Sequence, residues 1–88
     1  MNIHVYDTYA QGNNGKLLHF DIFLPKNNSL TALKIARQWL TEIGEDGDKL
    51  TQERCRFCHT ESANANVAEA IEKDGYYILQ MEGCPNPV

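Results

Sequence analysis

Two alternating stretches near the amino end constrain the fold more than any other feature of this chain. Apolar and polar residues alternate over residues 2–9 and again over residues 16–24, which is the period of a half-buried β-strand. The Asn14-Gly15 pair between them favours the positive φ angles of a tight turn. The chain is therefore predicted to begin with a β-hairpin.

Two stretches with apolar residues at helical spacing follow the hairpin. The first begins at a cap formed by Asn28 or Ser29 and ends at Gly44, which supplies a left-handed stop. The second begins at a capping pattern that starts with Asn66 and ends at Gly75. Both stretches are predicted to be amphipathic α-helices.

Two further segments complete the predicted frame. Residues 76–81 are rich in aromatic and β-branched residues and predict a strand, whereas residues 50–59 fit either a strand or a turn-rich segment. The order is then β-β-α-β-α-β, an α+β domain of two layers in which one sheet carries both helices on one face. We assign residues 1–84 to this single domain. Residues 85–88 form a tail, because their prolines cannot donate to a sheet.

The charge balance and the apolar runs exclude two classes of partner. Twelve acidic and eight basic residues give a formal charge of -4, so the chain gains nothing from the counterion release that drives binding to phosphate backbones. No apolar run approaches the roughly 18 residues needed to cross a bilayer. The amino end also lacks the basic and apolar pattern of an export signal. We therefore expect a cytoplasmic protein that binds neither nucleic acid nor membranes.

The strongest chemical signal is a five-residue segment with three metal-ligating side chains, Cys55, Cys58 and His59. Zinc prefers four thiolate or imidazole ligands, and a two-residue spacer lets a tight turn present two sulfurs to one ion. The predicted zinc site contains these three side chains and Cys84, with His19 as the alternative histidine. In a regular strand, however, two cysteines with this spacing have Cα atoms about 10 Å apart and point to opposite faces. Such a pair permits neither chelation nor a disulfide.

Other interpretations of the cysteines are open at this level. They fit reduced thiols packed as small hydrophobic side chains. They also fit a thiol-redox pair, because Arg54 and Arg56 flank Cys55 and stabilise a thiolate. The segment matches the attachment motif for c-type haem, but that attachment normally takes place outside the cytoplasm. No catalytic serine motif or phosphate-binding loop is present, so the sequence does not favour an enzyme.

A second set of polar side chains is predicted on one face of the hairpin. If the hairpin loop has an even number of residues, four side chains share that face, His4, Tyr6, His19 and Asp21. A hydrogen bond from Asp21 to a histidine is then within reach, which forms a candidate acid–base pair. The alternatives are a solvated polar face and a docking surface for a protein partner or a second copy of the chain.

Four short motifs occur in one order along nearly the whole chain: IHVYDTY at 3–9, HFD at 19–21, CRFCH at 55–59 and MEGC at 81–84. Together they resemble the bacterial family known as domain of unknown function 2024. The resemblance implies a small single-domain α+β fold and carries over no activity, substrate or cofactor. It draws attention, without assigning roles, to His4, Tyr6, Asp7, His19, Asp21, Cys55, Cys58, His59 and Cys84. Arg54 departs from the acidic residue expected before the first cysteine, which weakens any scheme with a carboxylate ligand there.

Overall fold

The structure, a computed structural model that describes all of residues 1–88, contains one four-stranded antiparallel sheet and two α-helices. The elements are β1 (Asn2–Gln11), β2 (Leu17–Leu24), α1 (Ser29–Glu42), β3 (Cys55–Ser62), α2 (Ala65–Asp74) and β4 (Tyr77–Gln80). Two short 3-10 turns, Gly47–Lys49 and Gln52–Arg54, connect α1 to β3. The α+β class and the order β-β-α-β-α-β are therefore confirmed. Neither helix has the length and apolar character needed to span a membrane.

The strands lie in the order β3-β1-β2-β4, so β1 and β2 form the centre of the sheet. The loop between them has the five residues 12–16, because β1 ends at Gln11 opposite Leu17. Five is an odd number, so the predicted sharing of one face by His4, Tyr6, His19 and Asp21 is wrong. Tyr6 lies opposite Ile22, whereas Asp21 lies opposite Asp7, on the other face.

One face of the sheet, which we call the α1 face, carries the larger core. Helix α1 buries Ala32, Ala36 and Leu40 there, and the two small alanines let the helix lie close to the strands. Trp39 adds a ring contact with Phe20, at 4.7 Å between centroids. The strand residues of this core are Tyr6, Ala10, Leu18, Phe20, Ile22, Leu24 and Cys55.

The opposite face, which we call the α2 face, carries a smaller core at one end. Val67 and Ile71 of α2 pack there with Ile3, Val5 and Phe23. The two helices thus lie on opposite faces, not on one face as the sequence predicted. The physical reason is that Ile3, Val5 and Phe23 are apolar side chains that α1 cannot reach, and α2 removes them from water.

Asparagine side chains begin both helices. The side chain of Asn28 accepts a hydrogen bond from the Thr31 amide, as predicted for one of the two candidate caps. The side chain of Asn64 accepts from the Val67 amide, so α2 begins earlier than the capping pattern at Asn66 predicted. A left-handed Gly75 with φ +88° ends α2, as predicted.

The segment that the sequence left open contains both turn and strand. Its strand, β3, carries a β-bulge: Val5 lies opposite His59, while the next residue, Tyr6, lies opposite Phe57. Cys58 is therefore the extra residue of the bulge. A bulge bends the strand and redirects the side chains around it, so the cysteine segment does not follow simple alternation.

Candidate functional site

The structure does not bring the predicted cysteine site together. Cys55 is buried on the α1 face, where the Thr8 hydroxyl donates to its Sγ at 3.4 Å. Cys58 is exposed at the bulge. Cys84 is buried beside β2, and its thiol donates to the His19 carbonyl at 3.3 Å. His59 lies opposite Val5, whose side chain belongs to the α2 face. The four predicted ligands do not converge, because β3 is extended between its two cysteines.

The two buried thiols are in surroundings that favour the protonated form. Burial raises the pKa of Cys55 and also the pKa of Cys84, against smaller lowering effects from their hydrogen bonds. All three cysteines are free. The thiols of Cys55 and Cys84 therefore have the character of small packed side chains, the alternative interpretation given by the sequence.

The predicted polar patch is divided between the two faces. Tyr6 belongs to the α1 core, and its hydroxyl donates to the side chain of Asn27 in the loop before α1. His4 lies on the same face against the ring of Phe57, at 6.1 Å between centroids, and its Nδ1 is buried without a hydrogen-bond partner. Only His19 and Asp21 of the predicted patch lie together.

The side chains that do converge are Asp7, His19 and Asp21. One ligand atom from each lies within 4.8 Å of the others, and no other such group of three occurs in residues 1–88. Register explains the convergence: Asp7 lies opposite Asp21, and His19 follows on the same face two residues earlier in β2. The Nε2 of His19 lies 2.6 Å from Oδ1 of Asp7. The group occupies the part of the α2 face that lies beyond the small core under α2.

Asp21 is the least satisfied member of this group. Its Oδ1 is buried without a hydrogen-bond partner. Burial, with the hydrogen bond and charge of Asp7 as further causes, raises the pKa of Asp21 to about 6, while the charges of His19 and His59 oppose the shift. Two carboxylates that face each other in a half-buried site favour a proton or a cation between them.

The histidine of the group is held from two directions. The ring of Tyr9 stacks on the ring of His19, with centroids 4.2 Å apart and planes 9° from parallel. The negative charge of Asp7 is the largest cause of a raised pKa at Tyr9. At the edge of β2 that pairs with β4, the main chain of His19 makes two further hydrogen bonds. Its amide donates to Glu82 O at 2.8 Å, and its carbonyl accepts from the Met81 amide at 3.0 Å. The ring and backbone of His19 are thus fixed before any ligand arrives.

Sequence reasoning did not place Asp7 or Tyr9 in a site, although the family resemblance drew attention to Asp7 without assigning it a role. Both were visible in the alternation of β1, where they follow Val5 on one face. The signal that would have grouped them with His19 is whether the hairpin loop has an odd or an even number of residues. That number depends on where β1 ends and β2 begins, which the sequence alone does not fix. An odd loop places Asp7 opposite Asp21 and Tyr9 opposite His19.

Comparisons with known proteins support the fold and assign the family. The NMR structure of protein NE1680 from Nitrosomonas europaea is 50% identical and superposes with a TM-score of 0.87, covering 96% of this chain and 99% of that one. The search of curated proteins finds no match. The family model described as domain of unknown function (DUF2024) matches residues 1–81. With four ordered motifs, a shared fold and a family match over nearly its whole length, the chain belongs to the DUF2024 family.

Proposed function

We propose that the protein binds a divalent transition-metal ion, with zinc as the first candidate, through Asp7, His19 and Asp21. The observation that carries the proposal is the buried, unpartnered Oδ1 of Asp21, which lies beside a second carboxylate and an imidazole. A buried charged oxygen without a partner costs free energy, and a bound cation offsets that cost.

The donor set supports a transition metal over the alkaline earths. Imidazole is a good ligand for zinc, iron, nickel and copper, whereas calcium and magnesium prefer sites made of oxygen alone. The two carboxylates cancel the double charge of the ion. Three protein ligands leave at least one coordination position for water or another molecule, the pattern of sites that act on a ligand rather than hold a fold together.

Zinc is the metal predicted from the sequence, but the proposed ligands are not the cysteines. Cys55 and Cys84 have partners and raised pKa values, so neither supports a thiolate site or a thiol-redox centre. The cytoplasm stays the proposed location, since three free cysteines in a chain of 88 residues suit a reducing compartment.

Calorimetric titration of chelator-treated protein with zinc, manganese and magnesium chlorides tests the proposal. We expect one tightly bound zinc ion per chain and weaker binding of magnesium. Asp21→Asn and His19→Gln should each lower zinc affinity by at least about tenfold, because both remove a direct ligand. Glu61→Gln is the matched control, since Glu61 is an exposed carboxylate whose ion pair is with His59 and not with a proposed ligand.

Two results would contradict the proposal. The wild-type protein failing to bind any of the three ions would overturn it outright. Zinc binding that survives Asp21→Asn and His19→Gln but is lost in Cys58→Ala would return the site to the cysteine segment. A proton shared between Asp7 and Asp21 would then account for the paired carboxylates.

A further inference from the structure

Arg56 lies next to the proposed metal site without a carboxylate partner. It faces Asp7 in the register of β1 and β3, so its side chain leaves the sheet on the α2 face. The ion pairs of the protein are His19 with Asp7 and His59 with Glu61, and neither includes an arginine. Arg56 is exposed, so its guanidinium is free to bind a ligand on the same face as the proposed metal ligands.

A cavity of about 340 Å³ lies along the edge of β1 at Tyr9 and Ala10, and Leu50 of the α1-face core also lines it. Tyr9 is shared with the proposed metal site, since its ring stacks on His19. The cavity lies where β1 continues past the end of β3, because Thr8 is the last residue of β1 with a partner in β3. Lys49 and Arg54 line it, and its volume is within the range of small-molecule sites.

Two acidic side chains, Asp46 and Glu53, also line the cavity, and only one of them has a hydrogen-bond partner. The carboxylate of Asp46 accepts a hydrogen bond from the Asp48 amide and caps the first 3-10 turn. Glu53 belongs to the second 3-10 turn and pairs with no basic side chain. Three of the eight basic residues of the chain thus lie at the cavity or beside Asp7, in a protein of formal charge -4.

The charges at the site define what can fill the open metal position. With two carboxylate ligands, the loaded site has no net positive charge of its own to attract an anion. Arg56 supplies that charge, and its planar fork matches two oxygens of a carboxylate or phosphate group.

We infer that the metal-loaded site binds a small oxyanion, a carboxylate or phosphate group with one oxygen on the metal and others on Arg56. The rest of the molecule extends past Tyr9 into the cavity, towards Lys49 and Arg54. This inference rests on the proposed function, because it needs the ion at Asp7, His19 and Asp21.

Titration of zinc-loaded protein with inorganic phosphate and with acetate, followed by backbone amide NMR, tests the inference. We expect saturable shifts at Tyr9 and Arg54, and at least fivefold weaker binding to metal-free protein. Arg56→Gln should lower the affinity for the anion by about 10- to 100-fold, the effect of losing a hydrogen bond to a charged group. Arg56→Lys should restore only part of the loss, because an ammonium lacks the planar fork.

Lys34→Gln is the matched control, since Lys34 is an exposed basic residue of α1 on the other side of the sheet. It should bind the anion as the wild type does. Zinc affinity is measured in every variant and should not fall in Arg56→Gln. A preference for phosphate or for acetate then assigns the class of natural ligand.

The outcomes separate the two proposals. If zinc binds and neither anion does, or if Arg56→Gln binds the anion as tightly as the wild type, the inference is overturned and the metal site stands. If zinc itself does not bind to wild-type protein, the proposed function fails and the inference fails with it.

Discussion

Asp7 and Asp21 face each other across β1 and β2, and the second of these carboxylates has a buried oxygen without a hydrogen-bond partner. Such a pair is unusual at the centre of a sheet, where like charges directly opposite each other destabilise the pairing. His19 relieves part of the repulsion through its contact with Asp7. The remaining charge on Asp21 makes part of the stability of the metal-free protein depend on pH.

Asp21 should make metal-free protein less stable as the pH rises from about 4 to about 6. Its pKa is raised from 3.8 to about 6, so the folded state holds the proton more tightly than the unfolded state. That stability is fully present below the unfolded pKa and is lost as the pH rises through the folded pKa. The loss should be about 1 kcal/mol, since a half-exposed charge is screened by water.

Urea denaturation at a series of pH values, with chelator present, measures this dependence. Asp21→Asn should flatten the fall in unfolding free energy between pH 4 and 6 and should be more stable than the wild type at pH 7. Equal pH dependence in the two proteins would show that Asp21 is not the group responsible.

The three cysteines should differ in reactivity towards a thiol reagent. Cys58 is exposed, whereas Cys55 and Cys84 are buried with raised pKa values. We expect one thiol to react rapidly with Ellman's reagent in native protein and two to react only on unfolding. Cys58→Ala should remove the rapid phase, while Cys84→Ala should leave it unchanged. Rapid reaction of all three thiols would contradict the packing described above.

The position of the α2 cap can be tested with two asparagines close in sequence. Asn64→Ala should lower the free energy of unfolding by about 1 kcal/mol, because it removes the side chain that accepts from the Val67 amide. Asn66→Ala should be neutral or slightly stabilising, since alanine is the better helix former inside the first turn. Thermal or urea unfolding measures both, and a larger loss for Asn66→Ala would move the cap to that residue.

Two left-handed glycines should differ in their tolerance of alanine. A Cβ at Gly83, where φ is +81°, would lie 2.1 Å from the carbonyl oxygen of Leu17 in β2. A Cβ at Gly15, where φ is +76°, would meet nothing within 4 Å. Gly15→Ala should therefore cost only the strain of the left-handed backbone, about 1 kcal/mol, whereas Gly83→Ala should cost about 3 kcal/mol or more through strain and overlap. Chemical denaturation checks the order, and equal losses would contradict the close approach.

Local patterns were sufficient for all the helices and strands of this fold except β3. The alternation around Asn14-Gly15, the glycine stops and the composition of the last strand each depend on neighbours in sequence. The segment containing Cys55 was ambiguous because it combines a 3-10 turn and a bulged strand within ten residues. Neither feature has a periodic signature.

The candidate site depended on relationships that local patterns do not contain. One residue more or less in the hairpin loop exchanges the faces of β2, and the odd loop moved His19 and Asp21 away from His4 and towards Asp7. The face of the sheet on which α2 packs depends on which apolar side chains α1 leaves uncovered, and that is a property of the whole fold. The predicted cysteine ligands do not converge for a related reason, since two cysteines with the spacing of Cys55 and Cys58 chelate one ion in a tight turn but point apart in a strand.

The chain that follows β4 holds His19 through its backbone, and this has a practical consequence for anyone preparing the protein. The Glu82 and Met81 main chains complete the hydrogen bonding of His19, and the Val88 amide donates to Gln80 O. A fusion partner or purification handle attached after Val88 would adjoin the same stretch of backbone that binds the main chain of His19. A handle placed before Met1 lies at the opposite end of β1 from Tyr9 and does not adjoin that stretch.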